Sequence, residues 1–122
     1  MPGVEQEIPS GGSVRVANEV IASIAGMAAM EVEGVAGMDE GSARHFGDWL
    51  KRQTAHDGVR VAFDAAHALH VELFLQVASD ASVPEIAERV QTNVAEAIDR
   101  MLGLEVVAVD VFVSSVAFAA AT

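Results

Sequence analysis

Residues 59–77 read VRVAFDAAHALHVELFLQV, and this stretch decides the fold. Apolar residues stand at every second position from Val59 to Phe63 and again from Leu69 to Val77. Side chains two positions apart point to the same face of a β-strand, so each run predicts a strand with one buried face. The short link between the runs, residues 64–68, predicts that the two strands form a β-hairpin.

A helix is predicted before this hairpin. Its apolar residues recur at helical spacing and form one stripe, namely Ile21, Ile24, Ala25, Ala28 and Val32. Asn18 is the predicted N-cap, because its side chain can accept a hydrogen bond from a free amide of the first turn. Gly34 is the predicted end of the helix.

A second helix is predicted after the hairpin. It begins at residues 82–85, SVPE, where Ser82 and Glu85 suit a capping box and Pro84 suits the first turn. The predicted buried stripe consists of Ile86, Val90, Val94, Ala97 and Met101. Gly103 supplies a left-handed stop.

A last strand is predicted from four alternating valines, Val107, Val109, Val111 and Val113. The alternation changes phase at Ser114-Ser115, which predicts a β-bulge or a bend.

These elements together predict an α+β fold. Their order is a strand at 13–16, a helix, a short amphipathic helical segment within 42–58, the hairpin, the second helix and the last strand. Two helices with one apolar stripe each predict a two-layer sandwich, in which both main helices pack on one face of a mixed β-sheet. We predict a single domain over residues 13–119 and a flexible tail over residues 1–12, which carry two prolines and three glycines.

Composition excludes several functional classes. The chain has 18 Asp and Glu against 7 Lys and Arg, a formal net charge of −11, which repels nucleic-acid backbones and anionic lipid headgroups. There are no cysteines, so disulfides and thiolate chemistry are excluded, and a cytoplasmic location is predicted. No run of about 18 apolar residues occurs, so we predict no direct membrane insertion.

The search for reactive groups gives little. His67 and His70 lie three residues apart, downstream of Asp64, and together they suit a metal ion in residue type. Because they lie at a predicted hairpin link, the interpretation as solvent-exposed histidines is favoured over a metal site. The sequence has no Gly-x-Ser-x-Gly elbow and no Gly-rich phosphate loop. We therefore predict no catalytic residue, no cofactor and no metal site, and no enzyme.

Four aromatic residues are predicted to lie in interaction surfaces. Phe46 and Trp49 belong to the basic stretch 44–52, where they either contact a partner or a membrane surface, or dock on the core. Phe74 and Phe112 alternate out of phase with the core-facing residues, so they are expected on the sheet face away from the helices. Exposed there, they would favour self-association. The alternative is that another segment covers this face.

Several stretches in this order resemble the alkaline shock protein family of bacterial envelope stress response proteins. They are VIASIAG at residues 20–26, EVEGVAGM at 31–38, GVRV at 58–61, VPEIA at 83–87 with VQ at 90–91, and MLGL at 101–104 with VAVDV at 107–111. The resemblance extends over residues 13–118. It implies a non-enzymatic protein of cell-envelope homeostasis whose relatives assemble into oligomers. It also implies that a separate membrane-anchored protein holds the chain at the membrane.

Three functional hypotheses follow. The first is a protein-interaction and self-assembly module, a homo-oligomer bound to a membrane-anchored partner. The second is a regulatory domain that binds a small metabolite, since sandwiches of this class often hold ligands between protomers. The third, an RNA-binding module, is disfavoured by the negative charge and by the lack of a Gly-x-x-Gly loop beside a basic helix.

Overall fold

A computed structural model describes residues 5–7, 13–39, 54–56, 58–78 and 80–117. Within these ranges the helices are α1 (Asn18–Met30) and α2 (Val83–Leu102). The strands are β1 (Glu5–Glu7), β2 (Ser13–Arg15), β3 (Val35–Met38), β4 (Thr54–His56), β5 (Val59–Phe63), β6 (Leu69–Ala78) and β7 (Val106–Ala117).

The main sheet is organised around β6. The strand β7 runs parallel to β6 along one edge, from the pair Leu69–Val106 to the pair Ala78–Ala117. The opposite edge is shared by two antiparallel strands: β5 pairs with residues 69–73 and β3 with residues 75–77. The strand β4 extends the sheet beyond β5. The predicted hairpin, mixed sheet and α+β class are thus confirmed.

The exchange from one partner strand to the other occurs at Phe74. Its N–H donates to the Gly58 carbonyl oxygen over 2.9 Å, and its carbonyl accepts from the Asp39 N–H over 2.8 Å. Gly58 lies at the end-to-end junction of β3 and β5 with φ +82°. A Cβ at this position would lie 2.9 Å from the Met38 Cβ and 3.1 Å from the Asp39 nitrogen, so the junction closes only around glycine.

The core lies between this sheet and the two helices, which both pack on one face of it. The inward side chains of β6 are all buried, as predicted from their alternation: Leu69, Val71, Leu73, Leu75 and Val77. The predicted stripe of α1 is also buried. In α2 the prediction is wrong at Met101, which is exposed in the last turn of the helix, and Ile98 is buried instead.

The helix ends differ in part from the sequence-based expectation. Ala17, not Asn18, is the N-cap of α1, and Asn18 is already its first helical residue. The helix ends at Met30, so Gly34 ends the following turn, not the helix itself. Ser82 is the N-cap of α2 as predicted, but no side-chain cap hydrogen bond forms there. Gly103 is left-handed as predicted, with φ +69°.

The turn after α1 packs directly against α2. Gly34 has φ +101°, and a Cβ there would lie 2.5 Å from the Ile86 Cδ1. The Gly34 carbonyl also accepts a hydrogen bond of 2.9 Å from the Ala78 N–H at the end of β6. The stretches 31–38 and 83–87, distant in sequence, therefore meet where Ile86 covers the backbone of Gly34.

The strand β7 contains two irregularities. Leu75 pairs with Val113 and Gln76 with Ser115, so Ser114 is the extra residue of a bulge, which confirms the predicted phase change. A second shift leaves Val107 between the pairs Leu69–Val106 and His70–Ala108. Val107 is therefore exposed, contrary to its predicted inward position, and Val106 packs against the core in its place.

Two shorter strands complete the description. Ser13–Arg15 form a strand as predicted, but it pairs with Glu5–Glu7 in a separate two-stranded sheet. Thr54–His56 form β4, although they were expected within an irregular or helical segment.

The rest of the segment 42–58 lies outside the described residues, except Gly58, so the short helix remains a prediction. The domain limits of 13–119 and the flexible tail of 1–12 also remain predictions.

Replacing Gly58 by alanine is expected to lower the free energy of unfolding by about 2–4 kcal/mol, because the new Cβ adds left-handed strain and overlaps Met38. Gly26→Ala is the matched control. Gly26 lies inside α1, and a Cβ there would meet the Val59 Cγ2 at an ordinary 3.6 Å. This control should raise stability by about 0.5–1 kcal/mol through helix propensity. Urea unfolding measures both changes, and equal effects of the two substitutions would contradict the account of the junction.

Candidate interaction surface

The sheet face that points away from the helices is here called the outer sheet face. Strand alternation and the pairing register place nine residues of β5, β6 and β7 on this face: Arg60, Ala62, His70, Glu72, Phe74, Gln76, Ala108, Asp110 and Phe112. Arg60 is the direct cross-strand neighbour of Glu72, and Phe74 is that of Phe112. Direct neighbours on one face interact most strongly in a sheet, so these two pairs define the surface.

A buried ion pair lies at the centre of this face. Both the Nε and the Nη2 of Arg60 donate to Glu72 Oε1, the former over 2.9 Å. The Arg60 side chain is buried and that of Glu72 is largely buried. The guanidinium carbon also lies 5.9 Å from the centroid of the Phe74 ring, within cation–π range. Removing either partner would therefore leave a charge in a poorly solvated site.

Phe74 and Phe112 form a stacked aromatic pair. Their ring centroids are 5.0 Å apart with an interplanar angle of 15°. Phe112 is 45% exposed, which confirms its predicted exposure, but Phe74 is only 3% exposed, so the prediction that both rings face solvent is wrong for Phe74. The parallel register brings Phe112 directly beside Phe74, and Arg60 approaches the same ring. Phe112 is thus the aromatic side chain that this pair presents to solvent.

The hairpin link carries an exposed hydrogen-bonded pair, Asp64 and His70. Asp64 Oδ1 accepts hydrogen bonds from the N–H groups of Ala66 and Ala68, and Asp64 Oδ2 lies 2.8 Å from His70 Nε2. The Ala68 N–H, followed by the His70 hydrogen bond, holds the pKa of the Asp64 carboxyl below its usual value of 3.8. His67, at φ +63°, occupies the left-handed position of this turn.

The histidines do not assemble a metal centre in the described part of the chain. Its residues include no group of three or more His, Cys, Asp or Glu side chains arranged to hold a metal ion. His70 contacts Asp64 as part of the turn instead. His56 belongs to β4, and His45 lies outside the described residues.

Ser114 contacts the loop that follows β3. Its Oγ lies 2.5 Å from Asp39 Oδ2 and 3.2 Å from the Leu75 carbonyl oxygen. A serine is activated as a nucleophile by a base that takes its proton, usually an imidazole. Here the hydroxyl faces a carboxylate and a carbonyl at a bulge, which ties β7 to the end of β3. This contact therefore explains Ser114 as a structural residue.

Phe46 and Trp49, the other predicted interaction residues, lie outside the described residues. Two features that the structure shows were not predicted from the sequence. The Arg60–Glu72 pair was missed because only the register brings the two residues together. The exposed apolar side of α1 was also missed, although residues 18–30 contain only three polar side chains, which is a visible signal.

A sandwich of this kind, with two helices on one face of a mixed sheet, defines a small α+β domain. Comparison with known families then identifies it further. The family described as having a cell envelope-related function, the alkaline shock protein 23 family, matches residues 6–118. The chain therefore belongs to this family, and the resemblance seen in its sequence is confirmed.

Two Bacillus subtilis (strain 168) proteins described as uncharacterized are similar to this chain. YloU is 30% identical over 107 residues, which cover 86% of this chain and 88% of YloU. YqhY is also 30% identical over 107 residues, covering 88% of this chain and 78% of YqhY.

Among solved structures, variants of the MamM CTD are similar in shape. One of them has a TM-score of 0.48 and 15% identity, and the match covers 81% of this chain and 98% of the MamM chain. This similarity is too low to bear on function. Neither helix among the described residues is long and apolar enough to cross a membrane.

Glu72→Ala is expected to lower the free energy of unfolding by about 2–4 kcal/mol, because it leaves the buried guanidinium of Arg60 without its carboxylate. The double variant Arg60→Met with Glu72→Leu should recover most of this loss, since it removes both charges together. Thermal or urea unfolding measures the difference. A loss below about 0.5 kcal/mol for Glu72→Ala would show that the pair behaves like an exposed surface ion pair.

The carboxyl of Asp64 is expected to titrate below 3.8 in the folded protein, as measured by NMR of its side-chain carbon. A pKa lowered by folding means that this group stabilises the fold above its unfolded pKa, and that the stabilisation is lost as the pH falls through the folded pKa. His70→Ala should raise the Asp64 pKa only in part, because the Ala68 N–H contributes more. A full return to the unfolded value in that variant would contradict this order of causes.

Proposed function

We propose that this protein is a non-enzymatic envelope stress response protein that acts in cell-envelope homeostasis as a protein-interaction and self-assembly module. In this proposal the chain forms homo-oligomers and works in the cytoplasm, bound to a membrane-anchored protein partner. Membership of a family with a cell envelope-related function supports the general role. The observation that carries the assembly is the exposed ring of Phe112 on the outer sheet face.

The structural argument rests on how the outer sheet face is built. The stacked pair of Phe74 and Phe112 is rigid and apolar, and large aromatic side chains in such positions are enriched at protein interfaces. The Arg60–Glu72 pair beside it is largely satisfied within one chain. A second protomer can therefore cover the phenyl ring without having to supply a partner for this arginine.

Non-enzymatic action is supported by the state of the polar groups. Glu72 and His70 each contact a charged group of their own chain, and Ser114 contacts Asp39. At Asp64 the carboxyl pKa is lowered and not raised, by the Ala68 N–H and by the His70 hydrogen bond. A general acid working near neutral pH needs a raised carboxyl pKa, so this pattern is typical of structural ion pairs.

The alternative, a regulatory domain that binds a small metabolite, remains a second prediction. An open groove of about 520 Å³ lies between the end of α1 and the middle of α2, lined by residues that include Glu31, Glu33 and Arg89. Its volume falls within the range of small-ligand sites. However, Asn93 in this groove already donates to the Ala28 carbonyl oxygen over 2.6 Å. Reproducible thermal stabilisation by a metabolite would favour the alternative, and a screen without it would disfavour it.

The substitution Phe112→Ser is expected to reduce the oligomer population, because it removes the apolar ring that a second protomer would cover. Light scattering at micromolar concentration measures the mass of wild type and variant. Met101→Ser is the matched control, since Met101 is 58% exposed but lies at the end of α2, away from the outer sheet face. A monomeric wild type, or equal masses for all three proteins, would contradict self-assembly through this face.

A further inference from the structure

Helix α1 is apolar on both of its sides. One side carries the buried stripe, and the other carries exposed residues at i, i+3, i+7 and i+10: Val20, Ser23, Met27 and Met30. This second side is here called the α1 outer face. Met27 is 65% exposed, Met30 is 46% exposed and Val20 is 45% exposed. A helix that is apolar on all sides normally lies buried, so an outer face of this kind indicates a surface that a partner covers.

An open groove runs along the α1 outer face. It has a volume of about 510 Å³ and is lined mainly by small and apolar side chains, with Met38 of β3 on the far wall. Ser23 and Gly26 form its low floor, beside the two methionines. Small residues let another backbone approach closely, and methionines adapt their shape to different apolar surfaces. The groove thus has the form and composition that an apolar helix stripe requires.

Charge identifies the kind of partner. Glu19 in the first turn and Glu31 after the last turn place a carboxylate at each end of this face, and none of the described residues that line the groove is basic. A second copy of this chain bound through the same face would bring Glu19 and Glu31 of both copies together. An anionic membrane surface would be repelled for the same reason. A segment with basic residues beside its apolar stripe would be attracted at both ends.

We propose that the α1 outer face binds a cationic amphipathic helix of a partner protein, with apolar side chains against Met27 and Met30 and basic side chains against Glu19 and Glu31. This inference rests on the proposed function, because it assigns partner binding to α1 and leaves self-assembly to the outer sheet face. The two surfaces belong to opposite layers of the sandwich. One chain can therefore use both at the same time.

The test uses the full chain and a labelled synthetic peptide of about 18 residues, with leucines along one helical stripe and lysines elsewhere. Fluorescence anisotropy is expected to show binding that weakens as salt is raised. The double variant Met27→Gln with Met30→Gln should weaken binding about tenfold, through loss of the apolar contacts. Met101→Gln, at a similarly exposed methionine outside the groove, should leave the affinity unchanged. Chemical-shift changes on wild-type binding should concentrate in residues 19–31 and at Met38.

Several results would overturn this inference. One is equal binding by the methionine double variant and the control, which would show unspecific attraction to an acidic protein. Another is equal binding of a peptide with glutamates in place of lysines, or binding of the chain to anionic vesicles in place of the peptide. Contacts between the Trp49 indole and the methyl groups of Met27 in the free protein would show that the chain covers its own groove.

The outcome also separates this inference from the proposed function. If the peptide fails to bind while light scattering still shows oligomers that depend on Phe112, the role of α1 is wrong and self-assembly stands. If the peptide binds a monomeric chain, self-assembly is wrong and the α1 site stands. If the methionine double variant changes the oligomer mass without peptide, a second copy occupies the groove, and the cationic helix is rejected.

Discussion

The backbone of β6 has to satisfy three partner strands at once, and the rest of the structure depends on this constraint. One edge bonds to β7 along the whole strand, and the other changes from β5 to β3 at Phe74. A slip of one residue in any of these pairings would turn the buried leucines and valines of β6 to the outer face. The junction at Gly58 therefore sets the register as well as the chain path. It also decides which side chains become neighbours on the outer sheet face.

The same constraint explains why two distant stretches belong together. The turn containing Gly34 follows α1, and the Gly34 carbonyl accepts a hydrogen bond from the Ala78 N–H at the end of β6. Ile86 in the first part of α2 lies over that turn, so close that no Cβ fits at position 34. The helix layer is thus attached to the sheet at the end where β3 pairs with β6. The candidate interaction surfaces on either side of the sandwich depend on this common framework.

The sequence predicted those features that depend on local periodicity. The hairpin strands, the buried stripe of α1, most of the stripe of α2 and the bulge at Ser114 all follow from spacing along the chain. Spacing does not determine which strands pair across long distances. For this reason the shared edge of β3 and β5, the strand β4 and the pairing of β1 with β2 were not predicted.

At the candidate surfaces too, local periodicity predicted some features, and long-range strand pairing determined the others. Alternation alone placed Phe112 on the outer sheet face and predicted its exposure. Phe74 was expected to be exposed too, but it is buried, because the parallel register stacks Phe112 beside it and brings Arg60 near its ring. Arg60 and Glu72 are 12 residues apart, and no local pattern connects them. The predicted burial of Met101 and the predicted inward position of Val107 are wrong for related reasons, since the last turn of a helix and a bulge both depart from the regular period.

The late position of β7 along the chain has a consequence for biosynthesis. A ribosome adds roughly 5–20 residues per second, so α2 and β7 emerge seconds after β6. During that interval the ten-residue strand β6 has no partner along the edge that β7 will occupy. An open strand edge of this kind can pair with other nascent chains. The α+β sandwich therefore closes only after synthesis reaches its final described strand, and until then this edge of β6 is open to pairing with other chains.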